Sequence, residues 1–126
     1  MRKNKNDLTV KVAIPGVTLR TQPGFGGNGA ELGGEWFSLA TGVNTAPLLD
    51  GRLDDTCEAE HWGYVESGAV IATYRDGTEE HCKAGDFFHW AAGHNVRVEQ
   101  DAELLMFSPY AAHDAVLEHI RTKVGG

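Results

Sequence analysis

The chain is short of the residues that mark several large classes of protein. Lys and Arg together number 11 against 18 Asp and Glu, for a formal charge of -7. A nucleic-acid surface needs clustered cations, so no nucleic-acid partner is expected. No apolar run approaches the roughly 20 residues that cross a bilayer. The start is polar through Asp7 and has no signal-peptide core. The expectation is a soluble cytoplasmic protein with no membrane partner. Cysteine is scarce as well. Cys57 and Cys82 are too few for a secreted disulfide framework, and in a reducing compartment thiols serve as ligands, nucleophiles or core filler. Helical periodicity is missing from most of the chain.

What is present fits one all-β domain spanning residues 1–126, with an apolar share of 41% to fill one core. Sixteen glycines separate short apolar runs, the pattern of a sandwich or barrel. Strands are predicted at residues 9–14, 34–41, 57–66, 69–75, 78–83, 87–90, 96–99 and 103–108. Asp76-Gly77 predicts a two-residue hairpin turn. The one predicted helix spans residues 109–124, with Ser108 as cap and Pro109 at its first position. Its stripe of Val116, Leu117, Ile120 and Val124 is expected to pack on the barrel or on a second subunit. Residues 1–7 are expected to form a flexible tail. Gly24 to Gly29 matches the spacing of a dinucleotide-binding glycine motif but lacks the strand and helix around it. It predicts a surface loop, and no organic cofactor is expected.

The residues with metal-ligand chemistry begin at Asp54. Strand alternation puts Asp55, Cys57, Ala59, His61, Gly63 and Val65 on one face. An inward pocket would hold that face. Cys57 and His61 are then two positions apart on it, and a thiolate and an imidazole so placed suit a divalent transition metal such as zinc, iron or nickel. Asp55 lies one step further along the face.

The motifs Tyr64-Val-Glu-Ser-Gly68, Asp76-Gly-Thr, Gly85-Asp86 and Ala91-Ala-Gly93-His94 follow the order and spacing of the two cupin motifs. Over residues 35–108 the chain resembles the cupin superfamily, and within it small bacterial cupins with Cys-x-x-x-His in the first motif. The resemblance implies a double-stranded β-helix, a jelly-roll barrel. Metal, where a cupin carries it, is held inside by three His and a Glu. Aligned on Gly68, the motif histidines become Asp55 and Cys57 and the glutamate becomes His61. Aligned on Gly93, the remaining histidine becomes Val96, while His94 turns inward if its strand starts early.

The candidate metal ligands are therefore Cys57, His61, His94 and Asp55, with His61 and His94 also the candidate catalytic groups. Each has a plainer role open to it. Cys57 can be core filler, Asp55 a turn or cap residue, and His94 a backbone-bonding residue beside Gly93. His89 is expected at a rim. The hairpin register sets Cys82 opposite Ile71 and His81 opposite Ala72, with Cys82 inside and His81 outside. Trp36, Phe37, Trp62, Tyr64, Phe87, Phe88 and Trp90 can wall a pocket or fill the core. His113 and His119 are expected to be solvated and outside the site. Two functions follow: a metal-dependent enzyme acting on a small organic molecule, or a module that binds or senses a small ligand. Open sheet edges add the expectation of a homodimer.

Overall fold

The structure is a computed structural model that describes residues 1–26 and 32–125. Among these residues seven strands form one antiparallel sheet: β1 (Thr9–Ile14), β2 (Val17–Gln22), β3 (Leu32–Leu39), β4 (His61–Tyr74), β5 (Glu79–Lys83), β6 (Phe87–Trp90) and β7 (His94–Pro109). Among the described residues one α-helix, α1 (Tyr110–Lys123), follows β7. Along the sheet the order is β1-β2-β3-β7-β4-β5, with β6 also paired to β4. This is the all-β barrel with one C-terminal helix that the composition predicts.

Alternation explains which side chains fill the barrel. Val17, Leu19 and Thr21 on β2 point inward, as do Ala102, Leu104, Met106 and Ser108 on β7. Val65, Val70, Leu104, Met106 and Trp90 are among the most deeply buried side chains. The opposite faces carry Trp62, Phe87 and Leu105, all exposed. Burying the first set supplies the main driving force, about 2 kcal/mol for each large side chain.

Several boundaries differ from the predicted ones. The runs at 57–66 and 69–75 were expected as two strands, and so were those at 96–99 and 103–108. The second pair lies within β7, and the first lies within β4 from His61 on, where Ser67-Gly68 makes an irregularity in the pairing and not a turn, while residues 57–60, expected as strand, precede β4. Gly68 has φ +83°, and a Cβ there would lie 2.0 Å from the Asp101 carbonyl oxygen. β2 was not predicted at all, although Val17, Leu19 and Thr21 alternate as a strand should. The hairpin after β4 has a three-residue loop, Arg75-Asp76-Gly77, in which Gly77 takes φ +87°. The extra residue shifts the register by one, so Cys82 pairs with Val70 and His81 with Ile71. Cys82 is still inside and His81 still outside.

At the N-terminus, where a flexible tail was expected, Lys5–Asp7 forms a 3-10 turn with the Lys5 ammonium 4.7 Å from the centre of the Trp36 ring. The glycine-rich stretch assigned to a surface loop runs into residues 27–31, which lie outside the described residues.

The tail helix lies against the barrel. Val116, Leu117 and Ile120 are buried, and Lys11 on β1 pairs with Asp114 at 3.2 Å and Glu118 at 3.4 Å. Ser108 does not cap it. Pro109 occupies the cap position with no side-chain bond, and Ser108 is fully buried on β7.

Gly68→Ala is expected to lower stability by more than about 3 kcal/mol, because both the backbone angle and the Asp101 carbonyl oppose a Cβ. Gly77→Ala, with open space around it, is expected to cost about 1 kcal/mol from the angle alone. Urea unfolding of the two variants measures the difference.

Candidate metal centre

Two strands and the segment before one of them bring three ligand-type side chains together. Cys57 precedes β4 and is pinned to the start of β7, its amide donating to the His94 carbonyl at 2.8 Å while its carbonyl accepts from Gly93. His61 opens β4 and His94 opens β7. The exposures are 5% for Cys57 and 2% for each histidine. One ligand atom from each of the three lies within 4.8 Å of the others. The Cys57 Sγ is 3.5 Å from His61 Nε2, and the His61 and His94 ring centres are 5.0 Å apart.

The hydrogen bonds decide which nitrogen each ring offers. His94 Nδ1 lies 2.7 Å from the Ala91 carbonyl oxygen, which can only accept, so Nδ1 carries the proton and Nε2 the lone pair. His61 Nδ1 lies 2.6 Å from Ser108 Oγ. Ser108 donates its own proton to Glu35, so it accepts from His61 Nδ1–H and leaves His61 Nε2 free to bind. Metal-ligating histidines are held in this way, with the second ring nitrogen tied to a carbonyl, hydroxyl or carboxylate.

Burial sets the charge state. Desolvation, then the neighbouring His113 and His94, hold His61 well below its ordinary value. Desolvation takes His94 down to about 4, against the raising effect of the Ala91 carbonyl. The Cys57 thiol is pushed up to about 12, first by desolvation, with Glu58 and Glu35 also raising it and a backbone hydrogen bond from Ala59 opposing. Without a cation the three are a neutral thiol and two neutral imidazoles. That is a set of donors, and it lacks the activated thiolate of a cysteine nucleophile.

Asp55 is not part of the group. The chain there is a 3-10 turn, Leu53–Asp55, so strand alternation does not extend back to it. Asp55 is exposed at φ 55°, and its carboxylate accepts from the Gly51 amide at 2.9 Å, a turn role.

His113 departs furthest from expectation. It was expected to be solvated, yet it is 3% exposed, its ring centre 4.3 Å from that of His61 and its Nδ1 bonded to Glu35. Glu35, His61 and His113 form a second close group of ligand atoms. The signal was present in the sequence. His113 lies three residues before Val116, four before Leu117 and seven before Ile120, on the same helical stripe. Glu35 shares strand parity with Phe37 and Leu39. His119 is half-buried, with Nε2 2.8 Å from the Asp50 carbonyl. His89 is exposed and bonds Glu60 at 2.7 Å.

Cys57, His61, His94 and His113 line a cavity of about 60 Å³, room for a few waters. Its walls are otherwise almost wholly apolar, with Phe37, Trp90, Leu104 and Val96 from the barrel and Val116, Leu117 and Ile120 from α1. Of the predicted aromatic wall, Phe37 and Trp90 line it, while Trp62 and Phe87 face outward.

The fold matches that of known structures. An RmlC-like cupin from Shewanella frigidimarina superposes with a TM-score of 0.58 at 16% identity, over 85% of this chain and 88% of that one. The fold is a cupin barrel. The polyketide cyclase RemF from Streptomyces resistomycificus gives 0.59 at 20% identity, covering 86% and 78%. Lactobacillus farciminis oxalate decarboxylase gives 0.57 at 17% identity over 86% of this chain, which spans about a third, 33%, of the decarboxylase. Neither the protein-family models nor the curated protein sequences match the chain. Among the described residues, no helix of this cupin fold is long and apolar enough to cross a membrane.

Burial of His94 makes stability depend on pH. The unfolded chain takes this proton near 6.5, the folded chain only near 4. Between those values the unfolded state binds more protons, so the stabilisation is complete above about pH 6.5 and falls as pH drops towards 4. For the metal-free protein the loss from His94 is expected to be on the order of 3 kcal/mol, and His94→Gln should flatten that part of the profile. Urea unfolding at pH 7, 5.5 and 4 checks it.

Proposed function

We propose that this cupin is a metal-dependent enzyme that acts on a small organic molecule in the barrel cavity. The observation that carries the reading is the convergence of Cys57, His61 and His94, all buried, within 4.8 Å of one another. The donor chemistry fits a divalent transition metal such as zinc, iron or nickel. One thiol and two imidazoles with ligand-ready Nε2 atoms suit borderline ions far better than magnesium or calcium. When bound, the metal would supply a Lewis-acid or redox centre.

The chain's own residues do the rest. Ser108 holds the His61 ring by its Nδ1–H, and the Ala91 carbonyl does the same for His94. The apolar wall excludes water and strengthens every charge interaction inside. Since α1 forms part of that wall, a shift of the helix would enlarge the cavity for a substrate bigger than a few waters. Decarboxylase and cyclase both occur among the structural neighbours, so the reaction is set by the site and not by the fold.

The apolar lining supports a second reading, a module that binds a small apolar ligand without chemistry. Metal content separates the two. Protein purified without a histidine tag is expected to hold close to one metal per chain, and Cys57→Ser and His61→Ala to lose it. Because the thiol must lose its proton, affinity should rise about tenfold per pH unit below the thiol's range. A parent protein that takes up no zinc, iron or nickel leaves the binding module as the reading.

The proposal extends to a homodimer in a reducing cytoplasm, where both thiols stay free. β1 ends the sheet, with Val10 exposed on it, and a second copy pairing there would cover the open edge. Light scattering at micromolar concentration is expected to give twice the chain mass, and a monomer mass would refute the dimer.

A further inference from the structure

The tail helix brings into the barrel a histidine that the three-residue centre does not use. His113 is as buried as the ligands themselves, and so is Glu35, the residue that orients it. The His113 Nδ1–H donates to the Glu35 carboxylate, which also accepts from Ser108. Three imidazoles thus share one arrangement. His61, His94 and His113 each commit Nδ1–H to a fixed acceptor, which leaves Nε2 as the nitrogen a metal would take. Anchoring the helix would need only the Glu35 bond. It would not need a ligand-ready ring 4.3 Å from His61, lining the same cavity.

The centre has a vacancy of the right kind in its donor set. Cys57, His61 and His94 give three donors. The strand position where a cupin would present a further histidine is Val96, which has none to offer. Two close groups of ligand atoms overlap at His61, one with Cys57 and His94 and the other with Glu35 and His113.

We infer that His113 is the fourth metal ligand, oriented by Glu35, so that α1 is part of the metal centre. This rests on the metal reading above. Ligand nitrogens on one tetrahedral ion lie roughly 3.3 Å apart for metal–nitrogen bonds of about 2.0–2.1 Å. His94 and His113 belong to different groups, so coordination draws His113, and the helix with it, further onto the barrel. A tetrahedral ion would then be closed off by four protein ligands, and release of His113 would open one position as the helix shifts. An octahedral ion would keep two positions open throughout.

The test uses cobalt(II) as a spectroscopic stand-in for zinc, added to the metal-free full chain. Parent, His113→Ala, His113→Gln and Cys57→Ser are compared by absorption titration, with circular dichroism to confirm folding. The His113 variants are expected to bind at least about tenfold more weakly. Their visible bands should weaken as water replaces a nitrogen, while the thiolate charge-transfer band persists. In the parent, metal is expected to slow amide exchange across Tyr110–Lys123. Folded His113 variants with the parent's affinity and spectrum, or no metal-dependent slowing of helix exchange in the parent, would overturn the inference. Binding that requires Cys57 but ignores His113 defeats this inference alone. A parent that binds none of cobalt, zinc, iron or nickel defeats the metal reading itself.

Discussion

One buried chain of hydrogen bonds ties the molecule together, running from His61 through Ser108 and Glu35 to His113. It joins β4, β7, β3 and α1 at the point where the apolar core meets the cavity. Polar groups that deep are costly unless every one is paired, and these pair with one another. The chain therefore fixes more than a contact. It sets the tautomer of His61, holds the helix over the barrel, and decides that Nε2 rather than Nδ1 faces the cavity. Removing Ser108 or Glu35 would leave buried donors without acceptors as well as loosening the helix.

The rest of the site follows from that geometry together with burial. The same apolar walls that pack the barrel push the thiol up and the imidazoles down, so the resting centre is uncharged. A neutral donor set inside an apolar cavity suits a cation better than it suits covalent catalysis by the thiol. The helix has two roles for the same reason. Its apolar stripe buries Val116, Leu117 and Ile120, and the next position along that stripe is a histidine.

Much of the fold could be read directly from the chain. β1 and β6 coincide with their predicted limits, because Thr9–Ile14 and Phe87–Trp90 are short runs bounded by turn residues. Alternation put Cys57, Ala59, His61 and Val65 on one face, and all four are buried, although Cys57 and Ala59 precede β4 and owe their placement to the bridge with His94. Failures came where a local signal had two structural meanings. A glycine after Ser67 can turn a chain or bulge it, and Asp76-Gly77 can close a two- or a three-residue loop. The choice between them lies in pairing partners far along the chain.

The sequence by itself determined the class of fold, the inward face that carries Cys57 and His61, and the chemistry those side chains can offer, since alternation and residue type are local properties. Only the tertiary structure decided that Asp55 turns away and that His94 begins its strand facing inward. It alone showed that Glu35, Ser108 and His113 meet behind His61. Those three stand 73 and 78 positions apart, measured from Glu35 to Ser108 and to His113. Their meeting depends on β3 lying beside β7 and on the helix folding back across the barrel, and no local pattern encodes a distance of that kind.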